Sequence, residues 1–413
     1  MAESPPTGRL TATSRIRLHD IQSRPDRDEW IVGRLETRTF VALPAVGVEA
    51  IEMLGGGSSI EQTEKQMAER HGIEFDVRAF VADLTALGYV SEIDGCPVPS
   101  PPVPPATFPW LRPELVRFTL HPILPFLLAG LVAAAAMVLV SRPDLWPSFR
   151  DLLWSPHSGL VLVVSFVFGW SLVAMHEMAH FAAARATGVH ARIQLGTRLQ
   201  FLVAETDISG IELAPRRHRI TAYLAGIGVN LAVAAIAVLL GAATAEHSLA
   251  HRLLGAVVVL ASVPLTFQCM VFMRTDLYFV LQEFTACRDL FGDGRAYARY
   301  LGTRAKHVVT GKGHTPDDPS RALPRHEQRA VRVYSLVLVV GTVLCLAAAA
   351  LFTLPADFAL AAGAVRGLAP ERSTAALLDS ILALAILGFG HTLWAVTWWR
   401  RHRVRRRDSR YTA

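Results

Sequence analysis

The spacing of apolar and polar positions changes character at about residue 110. Before that point apolar residues come in short, interrupted patterns; after it, long and nearly unbroken apolar runs recur. In the first part, the turn-like stretch Glu29–Arg34 and the segment Thr39–Pro44 read as a short β-hairpin. Ala45–Leu54 has helical periodicity and stops at Gly55-Gly56-Gly57. Ser59 and Gln62 have capping-box spacing at the start of a second helix, and Gly72 follows its end. A third helix begins at Asp76: Val77, Phe80, Val81, Leu84 and Leu87 share one face, and Gly88 terminates it. Tyr89–Ile93 reads as a last strand. Residues 1–25, polar and mixed, read as a mobile leader. Residues 26–95 then form a small α+β domain of winged-helix-like order, roughly seventy residues and within the foldable range. Cys96–Pro105 is a proline-rich spacer that opens a linker over residues 96–112.

The second part holds six runs long enough to cross a bilayer: about Ile123–Val140, Leu160–Phe181, Ile220–Gly241, Leu253–Met273, Val333–Leu354 and Ala375–Trp399. The expected fold class is therefore a multi-pass α-helical membrane protein of about six spans carrying a small N-terminal α+β domain. Composition agrees. The chain has 413 residues, 52% hydrophobic and 18% charged, too apolar for an ordinary soluble protein. No basic region followed by an apolar core opens the chain, so no cleavable signal peptide is expected and insertion rests on the internal spans. The four cysteines form no C-x-x-C pair, which argues against both a disulfide framework and a thiolate metal site.

A formal net charge of +6 changes the picture only through its distribution. The last run ends in Trp394, Trp398 and Trp399, an interfacial belt, followed by Arg400 and a basic tail over 401–413. Bases also concentrate between runs two and three (Arg185, Arg192, Arg198, Arg216, Arg217, Arg219). They do so again between runs four and five (Arg295, Arg299, Arg304, Lys306, Lys312). The alternate loops hold few. With six spans, the positive-inside rule puts both termini in the cytosol of a cell-membrane protein. A nucleic-acid partner is not expected, because the third helix offers only Arg78 beside Asp76 and Asp83.

Candidate chemistry lies at the end of the second run, in His176-Glu177-Met178-Ala179-His180. Histidines four apart on a helix project from one face, and the intervening glutamate can reach a water on an ion they hold. The alternative is a buried His–Glu hydrogen-bonded pair. A catalytic zinc needs a third protein ligand and an open position. Ala186 stands six residues after His180, where a third histidine would serve; Glu205 is possible by spacing but falls in a polar loop. Asp276, in Met273-Arg-Thr-Asp-Leu-Tyr278, returns to the cytosolic face at about the depth of His180; it could instead pair with Arg274. In run three, Ala225-Gly-Ile-Gly-Val-Asn230 combines small residues that permit close helix packing with a polar side chain inside the membrane. Asn230 reads either as an interhelical hydrogen-bonding residue or as a donor to a substrate carbonyl. Two short segments, Ala191–Leu195 and Leu199–Val203, flank Gly196-Thr-Arg198 and suit a hairpin at the membrane surface, either as an edge for an extended substrate or as a positioning loop. His391 reads as a buried, hydrogen-bonded histidine or as a group approaching the metal, Pro264 as a kink or flexible point, and Gln268 as a partner for backbone groups freed there.

H-E-x-x-H on one span, G-x-x-x-N on the next and an aspartate at the end of the following one together resemble the site-2 protease family of intramembrane zinc metallopeptidases, over roughly residues 113–400. The resemblance implies one zinc ion per chain held by His176, His180 and Asp276. It also implies Glu177 as general acid/base and Asn230 as a catalytic residue near the substrate. One departure is that Leu277 follows Asp276 where the family usually has glycine. No inserted PDZ domain is evident. The order of elements over 26–95 resembles PqqD-like domains, which capture leader peptides of ribosomally made, modified peptides by β-augmentation. The implied activity is hydrolysis of a peptide or membrane-anchored protein near the cytosolic face, with the lipid bilayer as a further partner. The expected substrate is a ribosomally made modified peptide or its leader. A membrane-anchored regulator is the alternative substrate, and a non-proteolytic exporter or immunity protein with structural zinc is the alternative class.

Overall fold

The computed structural model describes residues 10–100, 107–156, 158–246, 248–310, 317–369 and 373–408. They cluster into two compact units. One is built from the chain up to Arg117 with Ala184–Arg192 and Asp207–Arg219; the other from Phe118–Ala183, Ile193–Thr206 and the chain from Ile220 onward.

In the first unit the order is β1 (Ile16–Leu18), β2 (Gln22–Asp26), β3 (Glu29–Arg34), β4 (Thr39–Leu43), α1 (Ala45–Gly55), α2 (Ile60–His71), α3 (Val77–Ala86), β5 (Val90–Ile93), β6 (Cys96–Pro97) and the short α4 (Pro113–Val116). The three helices of the sequence reading are present. The capping box at α2 forms in both directions: Ser59 accepts from the Gln62 N–H at 3.3 Å, and Gln62 accepts from the Ser59 N–H at 2.9 Å. Gly72 ends α2 with φ 65°, a left-handed conformation that glycine adopts without a Cβ penalty.

The strands correct the reading. Residues 16–18 and 22–25, assigned to the leader, form β1 and all but the last residue of β2. β1 pairs with β5 through Ile16↔Ile93 and Arg17↔Glu92, partners more than seventy positions apart that local periodicity cannot reveal. β6, at the start of the assigned linker, completes the antiparallel sheet β1-β5-β6. Glu29–Arg34 is a full strand, central in the antiparallel sheet β2-β3-β4. Residues 1–9 of the leader and 101–106 of the linker lie outside the described residues. Val32, Leu54, Ile60, Val77, Val81, Leu84 and Tyr89 form the core. Among them the Tyr89 hydroxyl lies 2.9 Å from the Thr39 carbonyl and 3.1 Å from that of Val32, and burial pushes its phenol up to about 12.

The first unit also contains two pieces of later chain. Arg24 in β2 donates to the Glu212 carbonyl at 2.8 Å, and Arg38, in the β3–β4 turn, pairs with Asp207. Burial would raise the Asp207 carboxyl. The Ser209 N–H and hydroxyl together with Arg38 outweigh that and hold it below its ordinary value.

The second unit is largely helical. Its elements are α5 (Leu124–Ser141), α6 (Ser158–Ala186), the hairpin β7 (Arg192–Arg198) and β8 (Phe201–Asp207), α7 (Arg216–Ala242), α8 (Leu249–Gln268), α9 (Asp276–Thr285), α10 (Leu290–Thr310), α11 (Arg325–Ala348), α12 (Leu354–Gly367) and α13 (Thr374–Asp408). α6, α7 and the hairpin run at their ends into the first unit. Among the described residues, six helical stretches are long and apolar enough to cross a membrane: 124–141, 159–186, 216–242, 249–268, 325–367 and 374–400. The fifth exceeds its expected length because α11 continues through a π-helical turn, Ala349–Thr353, into α12. Ala135 of α5 and Ala235 and Ala237 of α7 pack with Val258 of α8 in one buried apolar cluster, the alanines permitting close helix approach. α9 and α10 stand where only a basic loop was foreseen. Their apolar side chains, with those of α11, make a compact cluster around Tyr278, Leu290, Val331 and Tyr334.

Candidate metal centre

His176 and His180 lie one turn apart on α6, and both are buried. Asp276, the first residue of α9, comes to them from the far side of a tight turn after α8. Its Oδ2 is 3.0 Å from each histidine Nε2, and the two Nε2 atoms are 3.1 Å apart. His180 donates from Nδ1 to the Ala222 carbonyl of α7 at 2.7 Å, which leaves Nε2 with its lone pair directed at the other two atoms. Three lone-pair atoms gathered this tightly repel one another unless a cation or proton lies between them. Donors 3.0–3.1 Å apart can all lie about 2.0–2.1 Å from one point, the usual bond length of zinc to imidazole or carboxylate. The donor set thus fits a divalent ion, and it is the only group of this kind among the described residues.

The turn that delivers Asp276 is built around Gln268, the last residue of α8, and this role was not foreseen from sequence. Gln268 Oε1 accepts the Asp276 N–H at 2.8 Å, and its carbonyl accepts the Thr275 hydroxyl at 2.7 Å. Its Nε2 is 3.4 Å from His176 Nε2. Gln268 was expected to serve backbone groups freed at Pro264, and the side chain instead serves the backbone N–H of Asp276, eight residues on. Arg274 makes the bend in a left-handed conformation, φ 58°. Rather than pairing with Asp276, its guanidinium lies 5.5–6.0 Å from the rings of Tyr278, Phe279 and Phe291.

α7 closes the site from another side. Gly226 approaches so closely that a Cβ there would stand 2.5 Å from both His176 Nε2 and His180 Nε2. The glycine was expected to permit helix packing; here the surface it packs against is the donor face itself. Asn230 follows one turn later on α7 and is completely buried. Neither its amide nitrogen nor its carbonyl oxygen has a hydrogen-bond partner among the described residues. It therefore does not serve as an interhelical hydrogen bond, and such a group is costly unless a ligand or water completes it. His176 Nδ1 is likewise buried without a partner.

Glu177 is buried beside His176 and accepts a hydrogen bond from the Thr206 hydroxyl of β8 at Oε2, 2.6 Å. The other candidates lie elsewhere. Glu205 is not in a polar loop but in β8, 3.5 Å from Arg198 and 3.3 Å from Gln194. His391 is not buried: its side chain is 63% exposed, 3.5 Å from Asp357 and 2.9 Å from the Leu387 carbonyl. The hairpin runs through Arg192–Arg198 and Phe201–Asp207, longer than expected, and Arg198 donates to the Arg274 carbonyl at 2.7 Å. No protein-family model, curated protein or solved structure matches this chain.

Proposed function

We propose that this protein is a six-span zinc metalloendopeptidase of the site-2 protease type, cutting peptide bonds near the cytosolic face of the cell membrane. The observation that carries the reading is the convergence of His176, His180 and Asp276 within hydrogen-bonding distance of one another, with a buried carboxylate next in sequence. His176, His180 and Asp276 would hold the zinc. When bound, zinc polarises the scissile carbonyl and makes a coordinated water acidic.

The chain's own groups divide the remaining tasks. Glu177 takes a proton from the attacking water and passes it to the leaving amine. Asn230 presents its free amide to the substrate carbonyl, which accounts for a buried side chain with no internal partner. Gln268 fixes Asp276 through its backbone N–H, and the Ala222 carbonyl fixes the His180 tautomer. A substrate must be extended to expose its scissile carbonyl, and the β7–β8 hairpin supplies strand edges suited to hold one.

In this reading the first unit is a PqqD-like peptide-capture domain. Its three helices and two small antiparallel sheets support the assignment, and β2 and β4 are the outer strands of their sheet, the position β-augmentation uses. The substrate is then a ribosomally made modified peptide or its leader. An even number of spans, with bases gathered in alternate loops, supports a topology with both termini on the cytosolic side. The test compares new peptide N-termini in cells expressing wild type and Glu177→Gln, with a candidate precursor peptide co-expressed. Cleavage seen in wild type and absent in E177Q is expected. Identical cleavage in both removes the peptidase mechanism.

A further inference from the structure

Glu177 has one oxygen held and one left open. Its Oε2 receives the Thr206 hydroxyl at 2.6 Å, a short, charge-assisted contact, while Oε1 has no hydrogen bond among the described residues. The same hydroxyl is 3.1 Å from the Glu177 main-chain carbonyl, but that oxygen lies inside α6. A hydroxyl has one proton to give, and the shorter contact to an anionic oxygen is the stronger. Thr206 stands near the end of β8, which is held to β7 in the two-stranded hairpin.

We propose that Thr206 is a positioning residue for Glu177, holding Oε2 so that Oε1 faces the attacking water. This rests on the peptidase reading above and adds to it a residue that no motif marks. A glutamate side chain has three rotatable bonds, and an unheld carboxylate spreads over several rotamers. One fixed oxygen removes that freedom and keeps the other in reach of the proton it must take. The hydrogen bond also separates the duties of the two oxygens. Oε2 is spent on orientation, and Oε1 alone exchanges the proton, moving from water to Oε1 and from Oε1 to the leaving nitrogen, so no net charge is gained or lost. A purely structural role, tying β8 to α6, would need only the contact to the main-chain carbonyl.

The experiment uses full-length protein in detergent, loaded with zinc. The infrared difference between wild type and E177Q isolates the Glu177 carboxyl band. Thr206→Val, which keeps the shape and removes the donor, should move that band; Thr206→Ser should return it. An unmoved band in T206V overturns the proposal. Kinetics on a synthetic peptide spanning the E177Q-sensitive cleavage site should then show kcat lowered about 10- to 100-fold in T206V, with KM and zinc affinity unchanged and recovery in T206S. Wild-type kcat in T206V, or a loss explained by KM or zinc affinity, overturns it as well. Should T206V not fold, Thr206→Ala replaces it in both measurements. The failure of the parent reading looks different: E177Q would then leave cleavage intact, while the infrared band would still report whether Thr206 holds Glu177.

Discussion

Replacing Gly226 with alanine gives the sharpest test of the site, because local and tertiary effects have opposite signs. Within a helix alanine is favoured over glycine by about 0.8–1.0 kcal/mol, so a glycine serving no close contact would give a neutral or stabilised variant. At this position the added Cβ would stand 2.5 Å from His176 Nε2, His176 Cδ2 and His180 Nε2. Comfortable contact begins about 1 Å further out, near 3.5 Å. Either α7 moves away or the imidazoles turn, and both displace donor atoms whose mutual spacing is 3.1 Å. Outer-shell disturbances of metal ligands cost about 10- to 100-fold in affinity, roughly 1.4–2.8 kcal/mol. The assay is zinc competition against a chelator of known affinity, with circular dichroism to confirm that the helices persist. Gly169→Ala is the control, since a Cβ there meets nothing within 4 Å. Zinc affinity in G226A equal to that of wild type and of G169A would refute the claim that α7 packs directly on the donor face.

Two further outcomes follow from the same geometry. Asp276→Ala should lose more zinc affinity than the about 10- to 100-fold typical of outer partners, and stoichiometric zinc at unchanged affinity would remove Asp276 from the ligand set. Asp207 gives a pH dependence. Its folded-state carboxyl is held below the unfolded value of about 3.9, so its contribution is complete above that value and is lost as pH falls through the lower, folded one. Hydrogen exchange across residues 207–213 should therefore be slower in wild type than in Asp207→Asn at pH 6–7, with the gap closing below about pH 4. A gap that is absent at pH 7, or constant down to pH 3, contradicts the pairing with Arg38 and Ser209.

Much of the architecture was legible because it is written locally. Six long apolar runs, three amphipathic helices and the capping box at Ser59 all depend on residues within a few positions of each other. The strands failed for the opposite reason. β1 is three residues long and is stabilised by β5, far along the chain, so Ile16–Leu18 looked like leader. α10 carries Arg295, Arg299, Arg304 and Lys306, and that charge concealed an amphipathic helix whose apolar side packs with α9 and α11. His391 misled because a histidine in an apolar run suggests burial, whereas its helix presents it outward, near Asp357.

At the centre itself, sequence alone determined the pair His176 and His180, since a spacing of four on a helix fixes two side chains on one face whatever surrounds them. It also nominated Asp276, Asn230 and Glu177 by residue type. Only the tertiary structure decided between Asp276 and Glu205, both carboxylates at plausible distances along the chain. The α8–α9 turn, closed by Gln268, carries Asp276 to 3.0 Å from both histidines, while Glu205 is held by Arg198 and Gln194. The close approach of Gly226, the unpartnered Asn230 and the Thr206 contact to Glu177 are tertiary in the same sense. Each is a distance between segments far apart in sequence, set by how helices and strands pack, and no local periodicity encodes such a distance.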